Sequence, residues 1–322
     1  MDFSFRQTFS LLARTTPFLM YRALVYLVIG AAWIVVTAIG AGIGAMLGVI
    51  GGSAGTGATI GGFLGFLLCA GILAFARRYL LYMVKAAHIA VLVEVVDGRP
   101  LPDGKGQVAY GKDAVKERFT ETSVLFAVDQ AITGILRRFN RMVVRVADFL
   151  PIPGLENLAK IANAIINTSV TYVDEAVLAH NLRVRSQNPW ETSRQGIILY
   201  AQNYTRFLKN AVKLTFGVWG LTILVFLVVL VPIALLIWVL PFEGGIVALL
   251  FSLTVAWLIR ATVIEPFAVT AMLQAWNSIT ADQVPNPEWE SRLTQVSDAF
   301  GNMVQKARGW VSQRRGAGET AA

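Results

Sequence analysis

The sequence predicts an all-α integral membrane protein, with four transmembrane helices in two hairpins and a cytoplasmic amphipathic helical domain. Three observations carry this. Ala23 to Ala76 is a run of 54 residues without one Asp, Glu, Lys, Arg or His. Leu214 to Leu240 and Ile246 to Ile259 form a second uncharged pair on either side of Pro241-Phe242-Glu243-Gly244-Gly245. Over the whole chain of 322 residues, 55% are hydrophobic and mean hydropathy is +0.58, far above a soluble domain of this size. About 20 apolar residues in a helix cross the roughly 30 Å hydrocarbon core, and each run reaches or approaches that length.

Taken in order, residues 1–22 set Phe3, Phe5, Phe9, Leu11, Leu12, Phe18 and Leu19 among Arg6, Gln7, Arg14 and Arg22. This is the pattern of an amphipathic helix lying at the headgroup level and leading into the first span. Residues 23–76 form a glycine-zipper transmembrane hairpin. Gly40, Gly44, Gly48 and Gly52 recur every four residues in its first arm, and Gly57, Gly61 and Gly65 in its second. A helix face without side chains lets two backbones pack closely in lipid, where no hydrophobic force draws helices together. Two uses of these faces compete. Either the arms close on each other, or zippers from several subunits meet around a ring or pore in a homo-oligomer. The short polar turn makes the arms antiparallel neighbours and favours the first.

Residues 77–113 read as an interfacial helix and loop. Arg77 and Arg78 anchor the cytoplasmic interface, Tyr79 to Val96 is mostly apolar with Lys85, His88 and Glu94, and Asp97 to Asp113 has the Gly, Pro and Asp of a loop. Residues 114–187 predict a cytoplasmic helical hairpin. Phe119, Thr122, Phe126, Asp129, Ile132, Leu136, Phe139, Val143, Val146 and Leu150 follow three-four spacing and mark a buried stripe. Arg137, Arg138, Arg141 and Arg145 lie off that stripe as a basic cluster suited to anionic lipid. Pro151-Ile152-Pro153-Gly154 ends this helix, and Leu155 to Arg185 makes the second.

Residues 188–213 form another amphipathic lead-in helix, opened by Asn188-Pro189-Trp190-Glu191: an N-cap, a proline at the first helical position, and an acid expected to reach back to the cap. Residues 214–265 are the second transmembrane hairpin. Arg260 and Glu265 sit near its cytoplasmic end, where Arg260 serves as an interfacial anchor and Pro266 is expected to bend the chain. Residues 266–308 hold interfacial and capped C-terminal helices, with Asn286-Pro287-Glu288-Trp289-Glu290 repeating the capping device, and residues 309–322 read as a disordered tail.

Orientation follows from the cations, which resist translocation. Of 28 Lys and Arg, three precede the first span, nineteen lie from Arg77 to Lys213, six follow from Arg260, and neither hairpin turn has any. Both termini and the central segment are thus placed in the cytoplasm, in an inner membrane of bacterial type. The same bias accounts for the net charge of +8 without nucleic acid.

A parallel internal repeat is also visible. Arg6, Gln7, Leu11 and Ala13 match Arg194, Gln195, Leu199 and Ala201, and Thr16, Phe18 and Leu19 match Thr205, Phe207 and Leu208 after one inserted residue. Beyond the hairpins, Arg118, Thr120, Ser123 and Phe126 correspond to Arg292, Thr294, Ser297 and Phe300. Each half would run lead-in helix, two spans, interfacial continuation, capped amphipathic helix.

Catalytic patterns are missing. There is no GxSxG, HExxH, Walker or CxxC motif, and the single Cys69 inside a span excludes an internal disulfide. Asp174, Glu175 and His180 are better read as a paired or solvated polar face than as an acid-base group. No enzyme, cofactor or metal is expected, and the expected partners are membrane lipids, anionic ones above all. The sequence therefore points to a non-enzymatic structural or scaffolding protein. A Gly-rich span ending in Arg, a long amphipathic cytoplasmic helix and a further pair of spans give a layout loosely similar to the membrane portion of choline-transporter-like proteins. No motif of that family is matched residue for residue, and the resemblance implies only the alternative of a transporter or oligomeric channel. A membrane-shaping protein is the third reading, though arms of this length span rather than wedge.

Overall fold

Helix is the only regular structure among the residues described by the computed structural model: 1–76, 81–102, 104–118, 122–143, 156–238 and 245–319. In chain order the helices are α1 (Phe5–Ala13), α2 (Thr16–Ile50), α3 (Ala54–Ala76), α4 (Tyr82–Val96), α5 (Gln107–Arg118), α6 (Thr122–Val143), α7 (Glu156–Val184), α8 (Pro189–Gln202), α9 (Tyr204–Trp238) and α10 (Gly245–Ile259). A π-helical turn, Arg260–Ile264, joins α10 to α11 (Glu265–Thr280), and α12 (Pro287–Val296) and α13 (Asp298–Glu319) complete the chain. Among the described residues four helical stretches are long and apolar enough to cross a membrane: Thr16–Ile50, Ala54–Ile72, Tyr204–Leu236 and Ala248–Thr280. They fit a multi-pass membrane protein.

The chain divides into two compact units, each built from separate stretches. One comprises Thr16–Lys85 and Val218–Pro266, the other Met1–Thr15, Ala86–Gly217 and Phe267–Ala322. The first, the span unit, has the surface of a lipid-facing body. Leu24, Leu27, Val28, Ile43, Leu47, Leu64, Leu224 and Val228 all stand exposed, which only an apolar surrounding makes favourable. Inside it, Trp33 stacks on Phe66 (5.0 Å between ring centroids) and meets Trp257 edge-on (5.7 Å), and Tyr26 meets Trp257 at 5.4 Å. These rings pack α2 against both α3 and α10. The turn of the second hairpin, 241–244, lies outside the described residues. Among those described, α10 packs on α2 and makes no comparable contact with α9.

The second, helical unit is built around α8, which is buried at nearly every position from Pro189 to Ala201. Ile197, Ile198, Tyr200, Phe207, Trp276 and Phe300 form its interior. Helix α4 shows no amphipathic stripe, and it is enclosed by protein from Ala86 to Glu94, the setting of a helix that is apolar all round. It was expected at the interface.

Several boundaries differ from the sequence reading. The lead-in helix over 1–22 breaks at Arg14-Thr15, and 16–22 belong to α2. Pro17 explains this, because its ring would strike the carbonyl four residues back if α1 continued. The loop predicted to reach Asp113 ends at Gly106, and α5 already starts at Gln107. Gly98 and Gly104, with φ of +69° and +79°, supply left-handed turns on either side of it. Helix α13 runs through the segment from 309 as far as Glu319, and Trp310 Nε1 donates to Gln187 O at 2.9 Å. Within α6, Val128, Ile132, Ile135, Leu136, Phe139 and Asn140 are buried, whereas Phe126 and Asp129 are half-buried. At the α8 cap, Asn188 Oδ1 accepts from Glu191 N as expected (3.1 Å), but the Glu191 carboxylate does not reach back. It pairs with Arg194 and Gln195, and the Asn188 N–H goes to Ser186 Oγ.

Candidate functional site

Within the span unit the glycines of α2 and α3 face one another. A methyl group added at Gly44 would collide with the Gly57 carbonyl oxygen and lie 2.9 Å from Gly61 Cα; one added at Gly40 would collide with the Gly61 carbonyl and lie 3.2 Å from Gly65 Cα. Gly48 meets Ser53 O and, at 3.0 Å, Gly57 Cα, and Gly65 meets Val36 O and Thr37 Cα. Every nearest neighbour is backbone. Gly52 does not belong to this seam: it has φ +83°, with nothing within 4 Å of its missing Cβ. It forms the left-handed turn between the arms, a role that also requires glycine. An apolar groove of about 760 Å³ runs along the seam, flanked by Ile39, Ile43, Leu47, Ile60, Leu64 and Leu68.

The same unit holds three charges whose arrangement follows from one proline. Pro266 has no N–H to give, and the helix before it opens into a π turn in which the Glu265 N–H donates to Arg260 O. In that register the Ala261 carbonyl would next receive the N–H of residue 266, which does not exist. Arg22 fills the gap: its NH2 donates to Ala261 O at 2.7 Å, its side chain is buried, and its guanidinium lies 5.7 Å from the Tyr26 ring centre. An orphaned carbonyl in a lipid-embedded helix costs several kcal/mol, so this donor stabilises the turn. The wider turn also brings Arg260 and Glu265, five positions apart, onto one side, where they pair at 3.1 Å. Pro266 thus widens the turn before it.

In the helical unit, two carboxylates gather three guanidiniums. Glu94, at the end of α4, accepts from Arg99 Nε (2.6 Å), Tyr110 Oη (2.7 Å) and Arg185 NH2 (2.9 Å). Asp97 accepts from Arg183 Nε (2.7 Å) and NH2 (3.0 Å) and from Asn277 Nδ2 (3.0 Å), and it pairs with Arg99. Burial pushes the Glu94 carboxyl up, but hydrogen bonds from Arg99, Tyr110 and Arg185 outweigh it and hold the group below the usual range. Glu94 stays ionised and acts as a clamp joining α4, α5 and α7, with Asp97 extending the tie to α11. Nothing in the sequence order announces it, because its members are up to 180 positions apart.

The residues weighed as an acid-base group are placed apart in role. Asp174 and Glu175 are buried rather than solvated, with Thr133 Oγ1 donating to Asp174 Oδ2 at 2.8 Å. His180 lies against Trp276 (5.6 Å), and burial, helped by Arg183, lowers its pKa to about 4. It is neutral at ordinary pH. Among the described residues no group of three or more His, Cys, Asp or Glu side chains is placed to hold a metal.

Arg137, Arg138 and Arg141 are exposed on α6, with Arg138 Nε donating to Val296 O and Arg141 Nε to Arg137 O. Arg145, Arg77 and Arg78 lie outside the described residues. A groove of about 720 Å³ between α6, α8 and α13 is lined by Trp190, Asn302, Lys306 and Trp310, with Lys306 Nζ 4.4 Å from the Trp190 ring centre. Comparison with protein-family models, with curated proteins and with solved structures gives no match.

Proposed function

We propose that this chain is a non-enzymatic, multi-pass scaffold of the cytoplasmic membrane, whose two span pairs anchor a basic helical unit at the inner leaflet. The observation that carries this is the closure of α2 on α3. The glycine faces meet backbone to backbone within one chain, which supports reading the zipper as internal packing rather than as a seam between subunits around a pore. The distribution of cations supports both termini and the helical unit being cytoplasmic. Arg137, Arg138 and Arg141 then face anionic headgroups, each contributing about 1 kcal/mol near such a leaflet.

The chain is further read as two parallel copies of one module. Helices α2 and α9 both have 35 residues and each follows a shorter helix closely, α6 and α13 both have 22, and Phe18 and Phe207 are fully buried at matching positions.

A transporter is the second reading. It rests on Arg22, Arg260 and Glu265, since ionisable groups in apolar helices often mark a route. Here Arg22 is spent on a carbonyl and Arg260 on Glu265, which is the geometry of anchoring. Flux of small ions, choline and glycerol into proteoliposomes separates the two. The scaffold reading predicts the permeability of protein-free vesicles, and a flux abolished by Gly44→Leu would contradict it.

A further inference from the structure

The groove between α6, α8 and α13 has no part in anchoring the chain, yet its walls are fixed and its charge is one-sided. We propose that it binds an amphiphilic monoacid, with the acid group on Lys306 and the apolar body against Val124, Ala127 and Trp310. The site lies wholly within the helical unit, so it stands or falls separately from the scaffold reading.

A volume of about 720 Å³ falls within the range of pockets that take small organic ligands. Helix α13 presents two faces. Phe300, Met303 and Ala307 are buried in the interior, while Asn302, Gln305, Lys306 and Gly309, also at three-four spacing, line the groove. Gly309 keeps it open, since nothing lies within 4 Å of its missing Cβ. Two bonds tie this helix to the start of α8: Asn188 Nδ2 donates to Ala307 O at 2.7 Å, and Trp310 Nε1 donates to Gln187 O at 2.9 Å. Closing the groove by shifting α13 would break them. A ligand therefore meets walls already in place, which lowers the ordering cost of binding.

The chemistry of the walls selects the ligand. Trp190 is only 5% exposed, so its ring seats the Lys306 ammonium, 4.4 Å from the ring centre, rather than stacking on a ligand. Among the described residues no carboxylate pairs with that ammonium. Of the described side chains lining the groove, Lys306 is the one cation and none is an anion. A ligand carboxylate can thus take a charge-assisted hydrogen bond there, with the exposed amides of Asn302 and Gln305 as further donors. The Trp310 N–H is already engaged with Gln187, so what its ring offers the groove is apolar surface, continued by Val124 and Ala127 on α6. One cation beside an apolar wall suits a single acid group on a hydrophobic body. A second ligand charge would lie unpaired against that wall.

The test uses the full chain in phosphatidylcholine nanodiscs, with naphthoate and its neutral analogue naphthamide as probes, followed by saturation-transfer NMR against empty nanodiscs. Wild type should bind naphthoate saturably and naphthamide more weakly. Lys306→Met should weaken naphthoate by about tenfold, the worth of one charge-assisted hydrogen bond, and leave naphthamide unchanged. Gly309→Leu fills the groove from α13 and should abolish binding of both probes; Ala127→Phe fills it from α6 and gives the same answer if leucine at 309 disturbs the helix. Absence of saturable binding to wild type would overturn the proposal, as would binding that survives both filling variants. Equal affinity for acid and amide would overturn the role of Lys306 and with it the ligand class.

Discussion

Replacing Gly44 by alanine adds one methyl group at the tightest part of the α2/α3 contact, and its effect can be worked out from the structure. The methyl would collide with the Gly57 carbonyl and lie 2.9 Å from Gly61 Cα. Carbon atoms pack best at about 3.5–4.0 Å, so the backbones must part by roughly 1 Å. No side chain lies in the way to rotate aside. Forcing a methylene-sized group into a filled contact costs about 1–3 kcal/mol. Gly42 supplies the control on the same helix: nothing lies within 4 Å of its missing Cβ, and alanine there gains up to roughly 1 kcal/mol of helix propensity. Both variants share that propensity gain, so Gly44→Ala should be less stable than Gly42→Ala by the clash itself, about 1–3 kcal/mol. Reversible unfolding in mixed micelles of mild detergent and dodecyl sulfate measures both. Equal shifts for the two variants would refute the reasoning, because helix propensity alone would then account for the effect.

Three further outcomes are expected. Arg22→Met should destabilise the protein by about 1–3 kcal/mol by orphaning the Ala261 carbonyl, and less so on a Pro266→Ala background, where the restored N–H can take over; a strictly additive double-mutant cycle would contradict this. His180 has a folded pKa of about 4, below the roughly 6.5 of an unfolded histidine. Its neutral form therefore contributes stability that is complete above pH ~6.5 and is lost as pH falls towards 4, by up to roughly 3 kcal/mol. His180→Phe should flatten the stability profile in that window, and an imidazole titrating near its ordinary value by NMR would contradict the assignment. Replacing Arg137, Arg138 and Arg141 together by glutamine should reduce the phosphatidylglycerol retained by the purified protein in native mass spectra, most clearly at low salt; unchanged retention would remove these residues from lipid contact.

What the sequence disclosed divides along the range of the interactions. Four-residue glycine spacing says which atoms share a helix face whatever the fold, and Gly40, Gly44, Gly48, Gly57, Gly61 and Gly65 can be read in that way. Gly52 keeps the spacing but falls past the end of α2, and helix ends are fixed by local turn geometry more than by period. The uncharged runs revealed the spans because hydropathy is a sum over neighbours. The pairing of Arg260 with Glu265 was legible only as a consequence of a distortion at Pro266, while the partnership of Arg22 with Ala261 across 239 positions was not legible at all. The same holds for Glu94, Asp97, Arg183, Arg185 and Asn277, which are charged or polar residues in unremarkable local settings until the fold collects them. The run of α13 beyond 309 was hidden in the sequence for a similar reason. Glycines near 309 and 316 lower helix propensity, and the Trp310 bond to Gln187 that holds α13 is tertiary.

The central claim is that the glycine seam closes within one chain and serves to brace an anchor. The most direct measurement is the native mass of the purified protein in mild detergent, for wild type and for Gly44→Leu. The account predicts a monomer in both cases, with Gly44→Leu less stable but no lighter. A defined wild-type oligomer that falls to monomers with Gly44→Leu would place the seam between subunits, and would put a channel or ring in place of the anchored scaffold.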